Sequence, residues 1–184
     1  MSTKRIESIV FRGYLNKDFR CSFIYNLDMD GKFKTVTQKD SGTYVLYPSF
    51  MLHISEGYER PSLYISFKRY FPFVTLFKKT VKLVQDNLYD LFPNVGRMEF
   101  EIDSRTLERF QTEQALSTAG MTMMPAVWVD STNQCFPGLR ITTEDRPYSV
   151  TIPLEDSIAF SEMLNGFDPN VYGTMTLFQL GRFE

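Results

Sequence analysis

Slid along itself by 87 residues, the chain brings Leu52 onto Leu139, Ile54 onto Ile141, Ile65 onto Ile152, Phe67 onto Leu154, Phe71 onto Ile158 and Phe73 onto Phe160. Two Arg-Pro pairs, Arg60-Pro61 and Arg146-Pro147, depart from that register by one residue, as a turn of slightly different length allows. In each copy the apolar spacing changes from two to three and four, so that a strand, a turn and a strand lead into a helix. A chain with this repeat has to build one sheet-then-helix unit twice. The expected class is therefore α+β, with ββββα occurring twice in a single domain 1–184 made of two pseudo-repeats, roughly 1–93 and 94–184.

The strands are read from alternation. Phe19, Cys21, Phe23, Tyr25 and Leu27 share one face of a strand, and Arg20, Ser22, Ile24 and Asn26 share the other. Asp28, Met29, Asp30 and Gly31 have the chemistry of a tight turn, so Lys32 to Gln38 is expected to return as the partner strand. Gly42 to Tyr47, Met51 to Ser55 and Ser62 to Phe67 read as further strands. Tyr70, Phe73, Val74, Phe77, Val81, Val84, Leu88 and Leu91 then recur at helical spacing, and the helix is expected to end near Phe92-Pro93, because proline pushes the residue before it out of helical geometry. Met98, Phe100 and Ile102 alternate with Glu99, Glu101 and Asp103, which predicts that the second sheet begins there. Ala126 to Val129, Phe136 to Thr142 and Tyr148 to Ile152 are its later strands. Pro153 to Leu164 is a short helix closed by Gly166, and Val171 to Leu180 is a last strand or an extended arm.

Net charge is −2, but it is unevenly spread: residues 1–80 carry 13 Lys/Arg against 7 Asp/Glu, and residues 81–184 carry 7 against 15. Partner choice follows the local field, so the basic half is the one suited to a phosphate backbone. Cys21 and Cys135 are too few for a disulfide framework or a thiolate zinc site, which suits a reducing compartment. The first residues lack the apolar run of a signal peptide, and no stretch approaches the length that spans a bilayer, so the cytoplasm is the expected location and no membrane partner is expected.

Candidate chemistry is one-sided. His53 is the only histidine, and there is no G-x-S-x-G elbow, phosphate-cradling glycine loop or dinucleotide fingerprint. Asp28 and Asp30 lack the remaining ligands of a calcium loop, and Glu99, Glu101 and Asp103 read as an exposed strand face. No catalytic residue, metal, cofactor or small-molecule substrate is expected. Binding of unpaired nucleic acid, by contrast, needs cations for phosphate and flat rings for bases. The basic half interleaves them: Arg12, Tyr14, Lys17, Arg20, Lys32, Lys34, Lys39, Tyr44 and Tyr47. A second group, Arg60, Tyr64, Lys68 and Arg69, is expected at the start of the long helix, where N–H groups are free. Most of the 17 phenylalanines are expected in the core, which leaves tyrosine as the surface ring.

Two units of antiparallel strands followed by a helix in a chain of this length resemble the whirly family of single-stranded DNA-binding proteins and the related transcriptional-coactivator fold. The resemblance rests on the segment Leu46 to Leu52 before the first helix, and on Ile152-Pro153-Leu154 through Gly173 around the second. Arg12-Gly13-Tyr14 is the nearest match to the family's lysine-glycine-lysine motif, and the second lysine is missing. The resemblance implies a largely sequence-independent, non-catalytic binder of single-stranded DNA acting in replication, recombination or repair, and a homo-oligomer formed through the helices. A short chain of this kind also suits a bacteriophage source. The alternatives are single-stranded RNA as the ligand, or a protein-interaction module that docks through its acidic half on a replication or transcription machine.

Overall fold

A computed structural model describes residues 5–27, 35–40, 43–58, 60–113 and 117–166, with the backbone alone for 35–40, 43–48 and 112–113. The described chain runs β1 (Arg5–Arg12), β2 (Arg20–Asn26), β3 (Thr35–Asp40), β4 (Thr43–Pro48), β5 (Phe50–Ser55), β6 (Ser62–Ser66), α1 (Phe67–Asp86), α2 (Leu88–Leu91), α3 (Ser104–Glu113), β7 (Ser117–Thr118), β8 (Met121–Val129), β9 (Cys135–Thr143), β10 (Ser149–Pro153) and α4 (Leu154–Asn165). It is α+β, with two four-stranded antiparallel sheets, ordered β1-β2-β5-β6 and β7-β8-β9-β10, each followed by a helix. β3 and β4 form a separate two-stranded ribbon that leaves the first sheet between β2 and β5.

The repeat holds at the level of hydrogen-bond register. Leu52 faces Ile65 and Ile54 faces Leu63 in the first sheet; Leu139 faces Ile152 and Ile141 faces Val150 in the second, each pair displaced by the same 87 residues. The helices begin at Phe67 and Leu154, again 87 apart. In the preceding strands Phe23 faces Leu52 and Pro125 faces Leu139, so β2 corresponds to β8 at an offset of 102. The extra length in the first unit is taken up by the ribbon.

The apolar face of β2 is buried, and so are Ser22 and Ile24 on its other face. Phe19, Cys21, Phe23, Tyr25 and Leu27 are buried in a row, opposite Phe50, Leu52 and Ile54. The long helix lays Tyr70, Phe73, Leu76, Phe77, Val81, Leu83 and Val84 inward. These side chains pack against strands of both sheets and against α4, so the apolar stripe is used within the chain. Phe77 meets Phe160 of α4 with ring centroids 5.4 Å apart, and Phe160 meets Phe11 at 5.2 Å. One cluster thus joins the two units, and truncating a buried ring in it costs about 3–5 kcal/mol.

Four expectations are corrected. β2 pairs with β1 and β5, not with a strand at Lys32 to Gln38; β3 starts at Thr35 and pairs with β4, with Asp40 opposite Thr43, while residues 28–31 lie outside those described. Residues 97–103 form no strand, because their backbone finds single bonds rather than a ladder: Met98 C=O accepts from Cys135 N–H at 2.8 Å, and Asp103 N–H donates to Leu91 C=O at 2.7 Å. The stretch after that segment, where no helix is expected, contains α3, begun by Asp103, whose carboxylate accepts from the N–H and hydroxyl of Thr106 at 3.0 and 2.7 Å. The long helix stops at Asp86; Asn87 breaks it at φ −124°, and the short α2 carries the chain to Phe92 before Pro93. The tail 171–180 lies outside the described residues.

Candidate nucleic-acid interface

Antiparallel register decides which of the expected residues share a face. Arg12 lies opposite Arg20, Arg20 opposite Ser55, and Ser55 opposite Ser62, which makes one rung across all four strands of the first sheet. At about 4.8 Å per strand the rung is roughly 14 Å long. Both arginines are exposed, and like charges directly opposite one another are an unfavourable sheet pair. The neighbouring rung on the same face is Ile9, Ser22, His53 and Tyr64.

The first rung ends at a junction between the two units. Arg60 N–H donates to Gly57 C=O at 3.2 Å and Arg146 N–H donates to Thr143 C=O at 3.3 Å, so the two Arg-Pro turns are closed by the same local bond. The turns converge on a cleft of about 320 Å³ lined by Arg60, Pro61, Ser62, Arg146 and Tyr148. Both arginines are exposed, and neither is in an ion pair among the described residues. The Arg146 guanidinium lies 5.2 Å from the centroid of the Tyr64 ring, which stacks on His53 at 4.5 Å and 15°. His53 Nδ1 is 3.7 Å from the Glu7 carboxylate. Burial holds His53 below its ordinary pKa; Glu7 opposes that shift and Arg20 adds to it.

Arg60 also borders a second cleft of about 520 Å³, whose walls include Lys17, Tyr58, Trp128 and Asp130. Tyr58 is 92% exposed, and the nearby Tyr148 is 52% exposed. Of the three carboxylates that line it, Asp130 and Glu56 are engaged by backbone, and Asp18 is exposed. Asp130 accepts from Thr132 and Gln134 N–H at 2.8 and 2.9 Å and is held below its ordinary value, chiefly by the Thr132 hydroxyl. Glu56 accepts from Thr151 N–H; burial raises its pKa, against that bond and the charges of Arg60 and Arg140.

The loop between β1 and β2 is shaped by a single carboxylate. Tyr14, Leu15 and Asn16 donate backbone N–H to the buried Asp156 of α4 at 2.6, 3.0 and 2.9 Å. Gly13 is required beside it, because a Cβ there would lie 2.1 Å from Asn16 C=O. The Arg12-Gly13-Tyr14 triplet therefore has a structural reason for its glycine. The loop leaves Lys17 exposed and Tyr14 73% exposed.

The structure brings together Arg12, Arg20, Tyr14, Lys17 and Arg60 at one end of the first sheet. Lys39 and Tyr44 face each other on the ribbon, with Tyr47 on the same strand as Tyr44, away from this rung; Lys32 and Lys34 lie outside the described residues. The second expected group is divided. Arg60 sits in the turn before β6 and Tyr64 within that strand, whereas Lys68 and Arg69 are in the first turn of α1 beyond its other end. Lys68 is exposed, and Arg69 is paired with Asp145 at 3.0 Å. Sequence reasoning missed Tyr58, Arg146 and Tyr148 as candidates; Trp128 lies in β8, as its strand predicts. The signal for Arg146 was present, since the repeated Arg-Pro pair marks it. Among the described residues no group of three His, Cys, Asp or Glu could hold a metal, and no helix is long and apolar enough to cross a membrane.

Comparison with protein-family models, with curated proteins and with solved structures returns no match.

Proposed function

We propose that this chain is a non-catalytic binder of single-stranded nucleic acid, DNA before RNA, acting with little sequence preference in replication, recombination or repair. The observation that carries the reading is the rung Arg12–Arg20–Ser55–Ser62, which leads across the sheet from two exposed cations, in no ion pair among the described residues, to the Arg60/Arg146 cleft. Cations spaced along a surface replace the counterions of a phosphate backbone, and exposed rings beside them stack on unpaired bases for about 1–3 kcal/mol each. Tyr14, Tyr58 and Tyr148 are such rings, while Tyr64 is already engaged by His53 and Arg146. The plan of four antiparallel strands and a helix, made twice, supports the likeness to the whirly family. Oligomerisation through the helices would have to use surface other than the inward stripe of α1.

Fluorescence anisotropy of a labelled ~30-nucleotide strand, offered as DNA, as RNA and as duplex DNA at two salt concentrations, tests the reading. Salt-sensitive binding to single strands, weakened at least tenfold by Arg12→Glu with Arg20→Glu, is the expected result. Absence of binding at low salt would reject it and direct the search to a protein partner.

A further inference from the structure

We propose that Arg60 and Arg146 act as one clamp that seats a single backbone phosphate, an inference that rests on the single-strand reading above. The two residues come from equivalent turns of the two units, each closed by the same N–H to C=O bond three residues back. They line one cleft, and neither is ion-paired among the described residues. Such an arrangement raises the local positive potential, which the field of Glu56 on Arg60 offsets without pairing it, and so favours entry of an anion. A phosphodiester has two non-bridging oxygens, one for each guanidinium, and arginine's planar fork suits both. Tyr64 holds Arg146 from one side through its ring. Tyr148, half-exposed at the same cleft, is placed to take the base attached to that phosphate. Both units contribute the same residue to the clamp.

Sharing has a signature that independent contacts lack. The test compares wild type, Arg60→Gln, Arg146→Gln and the double variant in binding a labelled ~30-nucleotide oligothymidine strand across a salt series, with thermal unfolding as a check on the fold. Each single variant is expected to weaken binding about tenfold and to reduce the salt slope by about 0.7, the share of one phosphate on a single strand. The double variant is expected to lose little more than either single one, and Arg60→Lys to recover part of the loss. Losses that multiply to about a hundredfold would overturn the clamp in favour of two separate phosphates. Unchanged affinity in both single variants, with wild type binding the strand, would overturn the clamp and leave the single-strand reading standing. Failure of wild type to bind any strand would overturn that reading and the clamp with it.

Discussion

The two units hold each other's hairpins by the same helix position with opposite charge. Arg69 is the third residue of α1 and Asp156 the third of α4, equivalent at the 87-residue offset. Asp156 reaches into the β1–β2 loop of the first unit, while Arg69 pairs with Asp145 in the β9–β10 turn of the second and lies beside Gly120 of the β7–β8 turn. The difference follows from what each turn needs. The β7–β8 connection is the two-residue turn Ala119-Gly120, at φ 50° and 75°, which its own backbone defines. The β1–β2 loop is longer and carries exposed Tyr14 and Lys17, so an outside carboxylate has to fix three N–H groups that no strand satisfies. The lock is strongest on the longer loop, the one that carries exposed Tyr14 and Lys17.

Substitution of the two lock residues separates these roles most sharply. Asp156→Ala leaves three N–H groups without their acceptor and should cost about 3 kcal/mol, read from denaturant unfolding. Asp156→Asn should fall between, because one carboxylate oxygen that accepts becomes an amide that donates. Gly13→Ala should cost about 2 kcal/mol, since its Cβ meets backbone and the loop has to shift around Asp156. In the second unit, Gly120→Ala places a side chain at positive φ and should cost about 1 kcal/mol, the ordinary penalty of that region. Arg69→Ala removes a half-exposed pair and should cost about 0.5 kcal/mol in the same assay. Equal losses for Asp156→Ala and Arg69→Ala would break the comparison.

The smallest effect is one of pH and belongs to the first unit alone. His53 has its folded pKa below the unfolded value of about 6.5, so the unfolded chain takes up the proton first as pH falls. The stability present above that value is lost as pH falls from it toward the folded pKa. Thermal unfolding at pH 7.5 and 5.5 should show the loss, and His53→Gln should reduce it.

Much of this plan was legible because apolar period and register are linked. The offset read from Leu52, Ile54, Ile65 and Phe67 reappears as strand pairing, since a one-residue slip would turn every buried side chain outward. β1 was missed because a bulge between Ile9 and Phe11 interrupts its alternation. Residues 98–103 misled for the opposite reason. Their alternation is real, but only Phe100 is buried, against Phe92, and Met98 is 62% exposed. Helix α3 announced itself only through Asp103 and Thr106, a cap that a strand reading hides. The candidate site was half legible: residue type pointed to Arg12, Arg20 and Arg60 and the repeated Arg-Pro pair marked Arg146, but only the meeting of two distant turns puts Arg146 beside Arg60 and adds Tyr148.

The ribbon bears on how such a chain can change over time. It departs and returns at one place, where Asn26 N–H donates to Ser49 C=O at 3.4 Å, and the register on either side continues as though it were absent. Doubling the length of a loop costs only about 0.6 kcal/mol in closure entropy. The connection between β2 and β5 is therefore a port at which length can be grafted on or trimmed back while the sheet, the helix and the other unit keep their places.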